Sequence, residues 1–149
     1  MSNEPISNMP IEKKTSRNLK RAYNVMHVGA NKLFKNVEIT VAQFDLLETI
    51  LLSENQSLTI QDIASRTVCL QPNITRMVAE LENAGLAERT SGTDRRIVIV
   101  KLTLKGKQLV TECQKILLNL HVSQYKNLSK EELVQLNKLL IKISRPLPE

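Results

Sequence analysis

Two adjacent arginines, Arg95 and Arg96, follow Asp94 in the segment TSGTDRRIVIVKLT, Thr90 to Thr103, just ahead of a β-branched run. The chemistry open to such a pair is attraction to a polyanion, although a charged turn taken alone is only a solvated one. The balance of 21 basic against 15 acidic residues, a net charge of +6, points the same way. Catalysis has little to work with: two histidines, four glycines, and no phosphate-binding loop, zinc-ligand cluster or nucleophile elbow. Cys69 and Cys113 lie far apart in no metal-like spacing, which fits a reducing compartment. No apolar run approaches the ~18 residues that a membrane span requires, and no signal peptide opens the chain. The expectation is a cytoplasmic protein that is not an enzyme and uses no cofactor or metal.

The elements that must hold the arginines follow from periodicity. A length of 149 residues suits one domain, and with aromatics at 3% its core must come from Leu, Ile and Val on helical stripes. Residues 1–11 are polar and read as a flexible leader. Apolar residues at Leu19, Tyr23, Met26, Ala30, Leu33, Phe34 and Val37 predict a long helix over residues 12–37, with Lys13, Lys14, Arg17, Lys20 and Arg21 on its other face. TVAQ, TIQD and SKEE, at Thr40, Thr59 and Ser129, read as capping boxes with flanking hydrophobic staples. Between Thr59 and Gly85 two short helices meet at a break near Thr67 to Gln71, the second opening around Pro72. Its Ile74, Met77, Val78 and Leu81 face inward, and Asn73, Thr75 and Arg76 face outward near its start. This is a helix-turn-helix pattern. A brief strand LAER, the TSGTDRR turn and the alternating strand IVIVKLT predict one hairpin behind it. Long apolar-striped helices follow, through Leu109, Cys113, Ile116, Leu117 and Leu120, then through Leu133, Leu136, Leu140 and Ile143.

A helix-turn-helix running directly into a hairpin is a winged helix, and here the sequence resembles the MarR family of bacterial transcriptional regulators. The motif is most specific in LENAGLAERTSGTDRRIVIVKLTLKG, Leu81 to Gly106, where Asp94, Arg96, Val100, Leu102, Thr103 and Gly106 fall on pattern positions. TRMVAELENAGL is similar to the family's recognition helix. The resemblance covers roughly Glu12 to Ile143. It implies a mainly α chain with a small β wing: a DNA-binding core over about 40–104, flanked by dimerisation helices over about 12–37 and 105–143. The implied partner is double-stranded DNA, read as a pseudo-palindromic operator by a homodimer.

The resemblance also assigns roles. It puts the wing tip in the minor groove, where the planar, weakly hydrated guanidinium of Arg96 suits a narrow negative channel. Asp94 would then orient Arg96, and Arg95 would touch the backbone. Base reading would fall to Asn73, Thr75 and Arg76, with Gln71 and Pro72 at the mouth of the recognition helix. The chain departs from the family in CLQP, where Leu70 and Gln71 are poor caps for that helix. The family binds small aromatic or phenolic acids beside its dimer helices, and Tyr23, His27 and Asn31 are the candidates to line such a pocket. The function expected is a dimeric repressor released by such an effector. Two alternatives stay open: a thiol-based redox regulator acting through Cys69 or Cys113, and an architectural winged-helix protein that senses nothing.

Overall fold

Four of the helices begin where a threonine or serine hydroxyl accepts an unpaired backbone N–H. The computed structural model describes residues 9–67, 71–92 and 96–144, with the side chains of Gln71 and Pro72 outside the description. Helix α1, Ile11–Phe34, opens behind Pro10 without a side-chain cap. Helix α2, Val41–Leu51, starts at the Thr40 capping box: the Thr40 hydroxyl accepts the Gln43 N–H at 3.2 Å, and Gln43 Oε1 accepts the Thr40 N–H at 2.9 Å. Helix α3, Ile60–Arg66, is capped by Thr59, which accepts the Asp62 N–H at 3.0 Å. The reciprocal arm expected there takes another form, the Thr59 hydroxyl donating to Asp62 Oδ2 at 2.7 Å. Helix α4 is Gln71–Asn83, helix α5 is Leu104–Gln124, capped by Thr103, and helix α6 is Lys130–Ile143, with a full capping box at Ser129 and Glu132.

Strands β1 (Ser57–Thr59), β2 (Ala87–Ser91) and β3 (Val98–Leu102) form an antiparallel sheet in the order β1-β3-β2. The hairpin β2–β3 is the one expected, with Ala87 opposite Leu102 and Ser91 opposite Val98. Strand β1 is an addition to it. Three residues are too few to show a period, and their pairing of Leu58 with Val100 joins parts of the chain far apart in sequence. Helix α1 stops at Phe34 rather than at Val37, because the chain turns there and the Val37 N–H donates to the Phe34 carbonyl at 3.1 Å.

The core lies under α2, whose Val41, Phe44, Leu46, Leu47 and Ile50 are all buried. They meet Ile63 of α3, Ile74, Val78 and Leu81 of α4, Val100 of β3, and Val110 and Cys113 of α5. Phe34 and Phe44 pack edge-to-face with centroids 5.5 Å apart, fastening the end of α1 to α2. The outer helices are different. Helix α1 buries Phe34 alone, and α6 buries nothing.

Candidate nucleic-acid interface

Helix α4 is oriented by its buried face and by a lock on its C-terminus. Ile74, Met77, Val78 and Leu81 point into the core, which turns Asn73, Thr75 and Arg76 outward. The helix ends at Gly85, whose φ of +70° is the left-handed conformation that favours glycine, and the Leu86 N–H reaches back to the Leu81 carbonyl at 2.9 Å. The first turn of α5 closes over this end. Thr103 donates its N–H to Leu86 O at 3.1 Å and its hydroxyl to Gly85 O at 2.7 Å, while Lys105 Nζ donates to Ala84 O at 3.1 Å. Gly106 allows the approach, since a Cβ there would sit 2.0 Å from the Leu86 carbonyl oxygen. The motif residues Thr103 and Gly106 therefore fix where α4 points.

Each edge of α4 is tied to a neighbour. On the wing side, Glu82 accepts Arg89 Nε at 2.8 Å and a second, shorter bond from the same guanidinium, joining α4 to β2. Hydrogen bonding to Arg89 holds the Glu82 carboxyl below the usual carboxylate range. On the α2 side, Glu80 Oε1 accepts from Arg76 at 2.7 Å and Glu80 Oε2 accepts from Gln43 Nε2 at 2.9 Å. Neither Glu80 nor Gln43 belongs to the expected set of site residues. The four-residue step from Arg76 to Glu80 was the available signal, whereas the bonds to Gln43 and from Glu82 to Arg89 cross between elements and have none.

A cleft of about 340 Å³ separates α4 from the wing, lined by Thr59, Ile60 and Gln61 at the start of α3, Thr75 of α4, and Arg96, Ile97 and Val98. The structure thus brings Thr75 and Arg96 to one cleft, with Asn73 and Arg76 exposed on the adjoining helix surface. The wing narrows where the Gly92 N–H donates to Ile97 O at 2.8 Å. Asp94 and Arg95 lie outside the described residues, as does Cys69. Gln71 and Pro72 open α4, which starts one residue earlier than expected.

The candidate effector residues separate. Tyr23 and His27 stack with centroids 5.5 Å apart and line a cavity of about 410 Å³ with Asp45, Glu48, Arg66, Ile74 and Met77 among its walls. Asn31 is exposed and is not among the lining residues. Burial, and then the charge of Glu48, push the Asp45 carboxyl above its ordinary value, with His27 acting the other way. Cys113 is buried, and burial raises its thiol. Among the described residues no group of His, Cys, Asp and Glu is placed to hold a metal ion, and no helix is long and apolar enough to cross a membrane.

Two short helices, the second carrying exposed polar residues beside a three-stranded wing, define a winged-helix nucleic-acid-binding protein. The MarR family model matches residues 39–98. The HTH-type transcriptional regulator FarR of Neisseria gonorrhoeae is 30% identical over 114 residues, 76% of this chain and 77% of FarR. Among solved structures, a cysteine mutant of MarR from E. coli in complex with operator DNA is similar at a TM-score of 0.82 and 26% identity, over 95% of this chain and 100% of that one. BpsR of Bordetella bronchiseptica, in a structure concerned with regulation of its DNA binding by 6-hydroxynicotinic acid, shares the fold at a TM-score of 0.83 and 23% identity, over 98% of this chain and 100% of that one. The chain belongs to the MarR family of DNA-binding transcriptional regulators.

Proposed function

We propose that the protein is a homodimeric repressor that covers a pseudo-palindromic operator and lets go when a small aromatic or phenolic molecule enters the cavity beside Tyr23 and His27. In this reading residues 40–104 contact DNA, and residues 12–37 and 105–143 pair the subunits. Helix α4 lies in the major groove, where Asn73, Thr75 and Arg76 read bases with Gln71 and Pro72 at the helix mouth. Arg96 enters the minor groove, oriented by Asp94, and Arg95 contacts the backbone. The observation that carries the DNA-binding geometry is the shared cleft of Thr75 and Arg96, which sets the wing arginine beside the recognition helix. Support for an effector is the cavity between α1, α2 and the helix-turn-helix, together with the regulation of BpsR, a protein of the same fold, by an aromatic acid.

The test is a binding titration on a site enriched from random DNA, with its flanks rebuilt as A·T-rich or G·C-rich. A guanidinium gains most from a narrow, strongly negative minor groove. Arg96→Ala is expected to weaken binding more on the A·T-rich version, with Arg96→Lys restoring only part of the loss. Asp94→Ala should also weaken binding. Tighter binding of Asp94→Ala than of the parent at moderate salt would reduce the wing to a cationic patch.

A further inference from the structure

The carboxylate of Glu80 stands on α4, the helix assigned above to the major groove, where a negative charge would repel phosphates, and both of its oxygens are committed. Oε1 accepts from Arg76 at 2.7 Å, and Oε2 accepts from Gln43 Nε2 at 2.9 Å. Gln43 is itself fixed, because its Oε1 accepts the Thr40 N–H at 2.9 Å within the α2 capping box. A continuous chain therefore runs from the N-cap of α2 through Gln43 and Glu80 to the Arg76 guanidinium.

Folding stability gains little from the ion pair itself. The side chains of Arg76 and Glu80 are 68% and 43% exposed, and an i,i+4 pair in that setting contributes little in water. Its consequence appears on DNA. An unrestrained arginine can settle on the nearest phosphate, which adds affinity without sequence information. Arg76 is held end-on through one terminal nitrogen, so Glu80 fixes its direction while the guanidinium keeps further N–H donors for a base edge. The pair gains strength as water leaves the interface, and the fixed negative charge disfavours DNA that offers Arg76 no base to bond.

We propose that Glu80 is a positioning residue: anchored to α2 by Gln43, it holds Arg76 toward the bases and away from phosphates, and so sets how sharply the protein separates its operator from other DNA. This rests on Arg76 being a base reader, which the experiment checks in its own arm.

The full chain and the variants Arg76→Ala, Glu80→Ala, Glu80→Gln and Arg76→Ala/Glu80→Ala are titrated by fluorescence anisotropy against a pool-enriched site and a scrambled duplex, over a range of salt. Circular dichroism verifies folding, and the isosteric Glu80→Gln carries the test if Glu80→Ala is damaged. Arg76→Ala should lower the ratio of enriched-site to scrambled affinity. Glu80→Ala should lower that ratio by about tenfold, the scale of one lost base contact, chiefly through tighter binding to scrambled DNA. Its salt dependence should steepen as Arg76 takes up a phosphate. Glu80→Gln, which keeps an acceptor for Arg76 but not the charge, should fall between. Without Arg76, the Glu80 change should leave the ratio where it is. An unchanged ratio in Glu80→Ala, with Arg76→Ala still lowering it, overturns the positioning role and leaves base reading intact. An equal effect of Glu80→Ala with and without Arg76 overturns it too, since the carboxylate would then act by itself. Equal loss on both duplexes in Arg76→Ala overturns base reading, and this inference with it.

Discussion

Asp45 shows how a single side chain can be placed for something other than stability. It lines the cavity beneath Tyr23 and His27, and burial together with Glu48 raises its carboxyl above the ordinary value, against the opposing influence of His27. A carboxyl whose pKa is raised on folding binds its proton more tightly in the folded state. Its unfavourable contribution is therefore in force at pH values above the folded pKa, and it fades as the pH falls through that value toward the unfolded one. Asp45→Asn is expected to raise the melting temperature at neutral pH, with the gain shrinking on acidification. A lower melting temperature at neutral pH would show that the charge is satisfied. At this scale the sequence was partly legible. Tyr23 and His27 were marked by their four-residue spacing, whereas Asp45 and Glu48 reach the same cavity from another helix and carry no local signal. Cys113 was legible from its stripe. Its buried thiol, raised by that burial, is poorly placed to form the reactive thiolate that a redox switch needs.

At the scale of elements, the first turn of α5 carries the most information. The Thr103 and Gly106 positions look in sequence like a helix cap followed by a weak helix former. In the structure they stitch α5 to the end of α4, with the Thr103 hydroxyl bonding Gly85 O and Gly106 lying against the Leu86 backbone. Ala is favoured over Gly in a helix by about 1 kcal/mol. Gly106→Ala nevertheless is expected to lose roughly 2 kcal/mol, because a Cβ 2.0 Å from a carbonyl oxygen forces two backbones apart. Denaturant melts measure the loss, and a stabilised Gly106→Ala protein would refute the close approach. A partial loss of DNA binding should accompany it, since the same stitch aims α4. The capping boxes at Thr40 and Ser129 were legible because each is written within four residues. Strand β1 was not, because its reason for being a strand is Val100 of β3.

For the whole molecule, the isolated chain leaves too much apolar surface in water. Large apolar side chains stay exposed on the outer helices. Val25 and Val28 on α1, Val122 on α5, and Leu139, Ile141 and Ile143 on α6 are all more than half exposed. Obligate interfaces commonly hide 2,000 Å² or more in total, and pairing through these helices would cover these side chains. The parent is therefore expected to sediment at about twice the 16.9 kDa of the chain at micromolar concentration. The double substitution Leu139→Glu/Ile143→Glu places two charges on α6, a helix that buries nothing within its own chain, so the winged core should stay folded. The dimer dissociation constant should rise by at least about tenfold, because an unpaired charge at an apolar seam must be stripped of water. Affinity for a full operator should then fall steeply while affinity for a single half-site stays near that of the parent, since only the linkage between the two reading heads is lost. A parent that sediments as a monomer, or a double variant that binds the full operator as tightly as the parent does, would remove the outer helices from the account of DNA binding.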